Sequence, residues 1–264
     1  MKKVIAILLL AVVIALPLVS CANGTDSDAE YVEKKGTLII GITYFEPMNY
    51  IENGELTGFE TEFAKEVCKI LGVTPKFQEI NWETKEIELK GKTIDCIWNG
   101  LTITDDRKEA MSISNAYMKN KQVLVMKKDK IGTYTDAASF KDVKLVAEVE
   151  SAGEAVATKN DLFKNANYTA VNSMKDAVME VAAGTADACI IDYITALGMI
   201  GEGTSFEGLA VDKNFAFGEE EYGIAFRKGS DLTAKVNAAI EELKKNGKLE
   251  EIANKYKLGE QLIK

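Results

Sequence analysis

Short apolar runs of strand length alternate along the chain with segments whose apolar residues recur at helical spacing. Because strands that alternate with amphipathic helices are typical of α/β folds, we predict a mixed α/β protein. The predicted strands are residues 37–42, 76–80, 94–98, 122–127, 144–149, 187–191 and 222–226.

Four helices are predicted from stripes of apolar residues, which run from Phe63 to Leu71, from Met174 to Val181, from Leu232 to Leu243 and from Leu249 to Tyr256. The first three stripes are followed by Gly72, Gly184 and Gly247, and glycine commonly ends a helix because it adopts a left-handed conformation without strain. Ser173 and Asp176 have the spacing of a capping box, so we expect the second helix to begin there.

One pattern occurs twice. Residues 89–99 and residues 181–192 each contain the end of a helix, a glycine, an aspartate and a buried strand. The repeat indicates two similar α/β lobes. The two strands end at Asn99 and Asp192, and open α/β sheets bind ligands at the carboxyl ends of their strands.

The N-terminus has the features of a secretory signal. Two lysines precede the apolar run of residues 4–19, which is shorter than a membrane-spanning helix requires. The residues before Cys21 resemble the bacterial lipobox, in which the cysteine is lipidated and becomes the new N-terminus. We therefore predict a signal peptide over residues 1–20, lipidation at Cys21 and a flexible polar tether over residues 21–30. The protein is expected outside the cytoplasmic membrane, lipid-anchored to its outer face.

Composition excludes several classes of function. Lys and Arg total 32 and Asp and Glu total 41, so the formal net charge is −9 and nucleic acid is not an expected partner. The chain has no histidine, which excludes Ser-His-Asp and Cys-His catalysis and every metal site that needs histidine. We expect no metal and no cofactor.

The remaining cysteines, Cys68, Cys96 and Cys189, lie in apolar runs without a C-x-x-C pair. Buried free thiols are the expected state, although the sequence leaves a disulfide between two of them open. Asp105 and Asp106 are adjacent acids, a pattern that also occurs in paired catalytic carboxylates. They fall in the first turn of a predicted helix, where acidic residues are favoured by the helix dipole, and we interpret them in that way.

Three stretches carry a family resemblance. Residues 58–67 (GFETEFAKEV), 94–107 (IDCIWNGLTITDDR) and 222–229 (YGIAFRKG) resemble the conserved blocks of the periplasmic amino-acid-binding proteins, solute-binding protein family 3 of ABC importers. The middle stretch is the most specific, and the resemblance runs from about residue 35 to the C-terminus.

This resemblance implies a two-lobe, type II periplasmic-binding-protein-like fold with a two-strand hinge. Lobe 1 would comprise residues 31–118 plus 221–264, and lobe 2 residues 119–220, with crossings near residues 117–122 and 219–222. It also implies the function, which is capture of a free amino acid and delivery to the permease of an ABC importer. We expect a monomer without catalytic residues.

The turn after the strand at residues 94–98 is a candidate anion site. Backbone N–H groups at the start of a helix attract anions, and Arg107 in its first turn presents a planar fork suited to a carboxylate. By resemblance, Arg107 binds the α-carboxylate of the ligand and Thr102 supplies a backbone N–H. Asn99 and Gly100 would lie along the ligand backbone.

The second lobe supplies the other contacts. Ser151 and Ala152 open a helix that corresponds to the Gly-Ser/Thr-Ser/Thr turn of the family, although Glu150 replaces its glycine and Ala152 its second hydroxyl. Asp192 aligns with the family's acceptor for the ligand amine. An alternative role for Asp192 is that of a helix N-cap.

Two aromatic residues complete the predicted site. Phe45 and Trp82 match family positions that sandwich the ligand side chain, and core packing is the alternative for each. The loop at Phe45 is one residue short and has Glu46 where proline is usual. Trp98 is bulkier than the residue usual before the glycine, so it is expected to narrow the pocket.

Two other functions remain open on the same fold. Cyclohexadienyl dehydratases resemble these proteins and need a carboxylic acid that faces the substrate ring, for which Glu46 or Glu148 would be the candidates. The other alternative is a sensory ligand-binding module.

Overall fold

A computed structural model describes residues 27–264. The helices are α1 Asp28–Lys35, α2 Phe59–Leu71, α3 Lys85–Lys90, α4 Asp105–Ala110, α5 Ala152–Lys159, α6 Met174–Ala183, α7 Tyr193–Met199, α8 Leu232–Lys245 and α9 Lys248–Lys255. The strands are β1 Thr37–Ile42, β2 Tyr50–Glu52, β3 Glu55–Thr57, β4 Thr74–Glu79, β5 Cys96–Thr102, β6 Met111–Ile113, β7 Met118–Lys127, β8 Lys144–Glu148, β9 Asn167–Val171, β10 Ala188–Asp192 and β11 Leu209–Arg227.

Two parallel groups of strands form the sheet. Its order is β4-β1-β5-β11-β7-β10-β8-β9, with β6 paired to β11, and β2 and β3 form a separate hairpin. We call β4, β1 and β5 the first half of the sheet and β10, β8 and β9 the second half; the strands within each half are parallel. The long antiparallel strands β7 and β11 join the halves, since β11 pairs with β5 near its end and with β7 along most of its length.

The repeated sequence pattern has the same structural role in both halves. Asp95 precedes β5 and accepts a hydrogen bond from the backbone of Ile39 on the neighbouring strand, at 2.8 Å. Asp187 precedes β10 and accepts one from the backbone of Lys144, at 2.9 Å. In each half, therefore, an aspartate aligns the start of one buried strand with the next.

The predicted strand positions are confirmed, with differences at their ends. β1 has the predicted bounds, but β11 begins thirteen residues before the predicted 222 and β7 four residues before the predicted 122. Both extensions are rich in charged and polar residues, which hides them from a search for apolar runs. The short strands β2, β3 and β6 and the mostly exposed β9 were not predicted for the same reason.

The predicted start of α6 and the predicted ends of α2 and α6 are confirmed, whereas α8 ends at Lys245 and Gly247 directly precedes α9. Ser173 caps α6 by accepting from the backbone of Asp176, and Gly72 and Gly184 end α2 and α6 in the left-handed conformation. The apolar stripes of α2, α6, α8 and α9 are buried against the sheet and one another. The three cysteines within residues 27–264 are buried and free.

The N-terminal segment corrects one predicted boundary. Residues 28–30, placed in the flexible tether, form the first turn of α1, where Asp28 pairs with Arg227 at 2.9 Å and Ala29 is buried. Residues 28–30 are therefore excluded from the predicted tether. The predicted signal peptide and Cys21 lie outside the described residues. Among residues 27–264 no helix has the length and apolar character needed to cross a membrane.

Candidate ligand-binding cleft

The carboxyl ends of β5, β8 and β10 meet at a narrow cleft between the two halves of the sheet. Its lining residues are Trp82, Asn99, Gly100, Thr102, Arg107, Glu148, Ser151, Ala152, Met174 and Asp192. Every residue predicted for the site except Phe45 is in this set. The enclosed volume is about 10 Å³, so the walls are nearly in contact.

Phe45 lies beside the cleft, behind Gly100. A Cβ atom added to Gly100 would approach the Phe45 ring to 3.0 Å, and Gly100 has a positive φ of 58°. Only glycine fits this position, because any side chain would be strained and would meet the ring. Phe45 also lines an adjoining cavity of about 250 Å³ together with Tyr44, Tyr50 and Met199. Phe45 thus separates the cleft from a second, wider space.

Arg107 spans the cleft. Thr104 caps α4 by accepting from the backbone of Arg107, which places the guanidinium over the end of β5. One Nη donates to the carbonyl of Thr102 at 2.8 Å and the other to the carbonyl of Glu150 at 3.1 Å, on the opposite wall. The guanidinium has five N–H donors, so it can hold the wall and still bind a carboxylate.

A second cation, Lys85, reaches the same carbonyl. Its ammonium group donates to the backbone carbonyl of Trp82 at 3.0 Å and to the backbone carbonyl of Glu150 at 3.4 Å. The ammonium nitrogen also lies 4.7 Å from the centre of the Trp82 ring. Burial and, to a smaller extent, the charge of the neighbouring Arg107 lower the pKa of Lys85 to about 8. Two cations from the first half of the molecule therefore converge on one backbone oxygen of the second.

The backbone of Gly100 is held by a buried acid. Glu60, at the start of α2, accepts from the Gly100 N–H at 2.8 Å, from Asn49 at 2.8 Å and from the Tyr117 hydroxyl. Burial raises the pKa of Glu60 to about 7 despite these three donors. The Gly100 N–H is therefore bound to the protein, and the residue forms the cleft wall through its Cα and carbonyl.

Asn99 is a structural residue in this arrangement. Its side-chain oxygen accepts from the backbone of Thr43 at 2.8 Å and from Asn49 at 3.1 Å, and its amide donates to the Thr43 hydroxyl at 2.6 Å. These bonds fix the loop that carries Phe45 to the end of β5. Trp98, predicted to narrow the pocket, is fully buried against Phe63 and lies outside the set that lines the cleft.

Polar groups on β7 and β11 bond to Thr102 and Asp192, which line the cleft. Gln122 donates to Asp192 and, at 2.7 Å, to Glu220, which also accepts from Thr102 at 3.2 Å and from Asn120. Burial and the nearby Asp192 raise the pKa of Glu220 to about 7. This network connects both walls of the cleft through the two strands that join them.

Asp192 occupies the N-cap position of α7 without capping the helix. Asn120 performs that task, since its side-chain oxygen accepts from the backbone of Ile194 at 3.2 Å. The Asp192 carboxylate instead accepts from the Tyr222 hydroxyl at 2.6 Å and from Gln122. Burial raises its pKa, and the hydrogen bonds and Arg107 oppose the rise. The structure thus holds Asp192 in the cleft, as the ligand-binding interpretation requires, rather than in a capping role.

The turn before α5 keeps the backbone geometry of the motif. Ser151 caps the helix by accepting from the backbone of Glu154 at 3.0 Å, and Ala152 begins the helix at the cleft. Glu150, which replaces the glycine of the motif, has a positive φ of 57°. That conformation accounts for the usual glycine, and it directs the Glu150 carbonyl toward Arg107 and Lys85.

Glu148 ends β8 inside the cleft and is 3% exposed. Burial raises its pKa to about 8, with Asp192 adding to the rise and Lys85 and Arg107 opposing it. The other acids considered from the sequence are exposed. Asp105 and Asp106 lie in the first turn of α4, the Asp105 side chain being 97% exposed, and Glu46 lies in the loop beside Phe45.

Sequence reasoning did not select Lys85, Met174, Glu60 or Glu220 for the site. Glu60 lies in the GFETEFAKEV stretch, so the motif contained a signal for it. Asn120 and Gln122 are two residues apart on β7, so both side chains lie on one face of the strand. This pattern could have extended the predicted strand toward its N-terminus and indicated the polar network beside the cleft. Nothing in the sequence links Lys85 to Glu150, because the contact joins residues 65 positions apart.

Comparison with known proteins gives the class. Residues 38–260 match the family of bacterial extracellular solute-binding proteins, family 3. The arginine-binding extracellular protein ArtP of Bacillus subtilis is 32% identical over 98% of this chain and all of its own length. The chain belongs to this family, and the predicted family and function class, an extracytoplasmic solute-binding protein, are confirmed.

Solved structures confirm the predicted fold class. An ABC uptake transporter substrate-binding protein from Streptococcus pneumoniae with bound histidine has a TM-score of 0.77 and 30% identity, covering 88% of this chain and 96% of that one. The ancestral amino-acid-binding protein AncCDT-1, a precursor of cyclohexadienyl dehydratase, has a TM-score of 0.76 and 28% identity, covering 87% and 99%. Both similar structures carry names of binding proteins.

Proposed function

We propose that the chain binds a free L-α-amino acid in the cleft and presents it to the permease of an ABC importer. Arg107 would bind the α-carboxylate, together with backbone N–H groups at Thr102 and at the start of α5. Asp192 would accept from the α-ammonium group. The observation that supports this proposal is that Arg107 and Asp192 line one cleft from opposite halves of the sheet.

Binding would be coupled to movement of two lobes. The proposed lobes are residues 31–118 plus 221–264 and residues 119–220, which meet at β7 and β11. A volume of about 10 Å³ holds one water molecule at most, so an amino acid can enter only when the walls separate. Closure over the ligand would then remove its charges from water where fixed partners replace the solvent.

We also propose that the protein acts as a monomer attached to the outer face of the membrane through a lipid on Cys21. Relatives such as ArtP are named as extracellular proteins, which agrees with this location. A protein held beside its permease would deliver ligand without diffusing away.

We propose a binding protein rather than an enzyme. The dehydratase alternative has one point in its favour, since a largely protonated Glu148 in the cleft could act as an acid. Against it, Asp192 lines the cleft as well, where the binding proposal assigns it to the ammonium group of an amino acid. Incubation with a cyclohexadienyl substrate, followed by ultraviolet absorption of an aromatic product, would decide: the proposal expects no turnover.

Thermal shift with the twenty amino acids, cystine and ornithine tests the binding proposal. A ligand that binds only the folded state raises the melting temperature. Arg107→Ala and Asp192→Asn should each weaken binding of the ligand identified in this screen by about 100-fold. The reason is that each substitution removes charge-assisted hydrogen bonds of about 1.5–3 kcal/mol apiece.

Lys108→Ala is the matched control. Lys108 is exposed on the same helix as Arg107, and within residues 27–264 its ammonium pairs with Asp105 alone, so this variant should bind as the parent does. The unliganded melting temperature of Arg107→Ala should stay within a few degrees of the parent. If Arg107→Ala bound the ligand as tightly as the parent, the assigned carboxylate site would be wrong.

A further inference from the structure

Glu148 is the one acid of the cleft wall that the protein leaves without a hydrogen bond. Within residues 27–264 its carboxyl group makes none, although the side chain is 3% exposed. The neighbouring Asp192 accepts from Tyr222 and Gln122. The Glu148 oxygens are not among the fully buried side-chain atoms without a partner, so they open onto the cleft. A carboxyl group that is largely removed from water and has no protein partner is costly, so its retention in a binding cleft points to a partner that arrives with the ligand.

The charged groups around Glu148 do not supply that partner. Lys85 on α3 and Arg107 on α4 face it, and both donate to backbone carbonyls instead. Asp192 at the end of β10 and Asp176 on α6 are the other charged groups that act on it, and both are acids. No group on the surrounding elements neutralises Glu148 directly.

We infer that Glu148 is a specificity-determining residue, which accepts the second positive charge of an amino acid with a cationic side chain. The inference rests on the proposed function and assigns its substrate class: amino acids such as arginine, lysine and ornithine, which carry an ammonium or guanidinium group beyond the α-ammonium.

The charge balance of the cleft gives the physical reason. A zwitterion uses Arg107 for its carboxylate and Asp192 for its ammonium, which leaves Glu148 uncompensated. A cationic side chain pairs with the Glu148 carboxylate, and this pair is favourable because Glu148 is already largely removed from water in the ligand-free protein, so most of its desolvation cost precedes binding. A neutral side chain leaves Glu148 protonated and contributes no such pair.

Proton release is the second consequence. In the ligand-free protein, Glu148 is largely protonated near neutral pH because its pKa is raised to about 8. A cationic ligand group beside Glu148 lowers this pKa, because it favours the ionised carboxylate. Binding of a cationic ligand therefore transfers the proton from the Glu148 carboxyl group to the buffer, and binding of a neutral ligand leaves the proton in place.

The test compares arginine with citrulline, in which a neutral urea group replaces the guanidinium at almost the same size. Isothermal titration calorimetry of the full-length mature protein should show at least tenfold tighter binding of arginine. In Glu148→Gln the preference should fall below about threefold, since one charge-assisted hydrogen bond accounts for a tenfold or larger factor.

Glu109→Gln is the matched control. Glu109 is an exposed acid on α4 that does not line the cleft, so the arginine preference should remain. Titrations at pH 7.5 in phosphate and in Tris, which differ in ionisation enthalpy, measure the released proton. Arginine should release protons from the parent and release markedly fewer from Glu148→Gln.

Each outcome decides between the two proposals. If the parent binds arginine and citrulline equally, or if Glu148→Gln keeps the parent's preference and proton release, the inference is wrong while the proposed function stands. If no free amino acid binds the parent, the proposed function itself fails. Should Glu148→Gln not fold, Glu148→Leu, which places an apolar side chain of similar size there, gives the same comparison.

Discussion

Two buried glutamates, one near each wall of the cleft, have opposite surroundings. Glu60 supports the first wall, is fully buried and accepts from Tyr117, Asn49 and the backbone of Gly100. Glu148 forms part of the second wall and accepts from no group in the described chain, while the nearby cations bind the carbonyl of Glu150. Burial raises the pKa of both acids, to about 7 and about 8.

The difference separates a structural acid from one that faces a ligand. Glu60 accepts hydrogen bonds from three donors inside the protein, and one of them, the backbone N–H of Gly100, is thereby fixed in the cleft wall. Glu148 is also buried, and Lys85 and Arg107 act on it only through their charge, without a hydrogen bond. Burial and pKa alone would class the two together; the hydrogen-bond partners distinguish them.

The largest expected effect is on stability, from Glu60→Gln. The new amide would place a donor against the Asn49 donor, which breaks one hydrogen bond and leaves buried donors unsatisfied, at a cost of about 2 kcal/mol. The melting temperature should fall by about 4–8 °C for a chain of this size.

Glu66→Gln, on the same helix, is the control for Glu60→Gln. Glu66 pairs with Lys69 near the surface, and removal of such a pair costs about 0–1 kcal/mol. An equal loss of stability in the two variants would show that the Glu60 network contributes nothing special, and the contrast with Glu148 would collapse.

The pH dependence of stability should come next in size. An acid whose folded pKa is raised from 4.5 to about 8 binds more protons in the folded state between these values, so stability falls as pH rises through that window. The ligand-free protein should therefore melt at a higher temperature at pH 6 than at pH 8. Glu148→Gln should make this decline shallower, because the amide does not titrate.

Glu60 and Glu220, whose pKa values are raised to about 7, contribute in the same direction. The decline should therefore persist in Glu148→Gln at reduced slope, while Glu66→Gln retains the parent's slope. A Glu148→Gln protein with the full slope of the parent would mean that Glu148 is already ionised, and paired, in the ligand-free protein.

The smallest effect concerns the turn that draws the cations away from Glu148. Glu150 has a φ of 57°, a conformation that costs a residue with a side chain about 1 kcal/mol and costs glycine little. Glu150→Gly should thus raise the free energy of unfolding by up to about 1 kcal/mol. Glu150→Ala, which removes the same carboxylate but keeps the strain, is the control, and urea denaturation measures both. If both variants were equally stable, strain at Glu150 would not be the reason for glycine in the motif.

Most of the framework followed from local signals. Apolar runs located the central strands, and the serine and glycine at the two ends of α6 marked its bounds, because caps and apolar stripes act over a few residues. The motif around Arg107 identified the anion-binding turn. The polar segments of β7 and β11 were missed, since their side chains bond across the junction of the two halves rather than to a core.

The sequence by itself determined the α/β class, the family and most of the residues that line the cleft, because these depend on short patterns and on motifs that keep their spacing. Only the tertiary structure decided the role of each polar group. Asn120 caps α7, so the Asp192 carboxylate can face the cleft. The Asn99 side chain bonds to the backbone of Thr43 in the neighbouring loop. The Glu150 carbonyl accepts hydrogen bonds from Lys85 and Arg107, the two cations near Glu148. A hydrogen bond between distant segments depends on where both ends are held, and that information is absent from either segment alone.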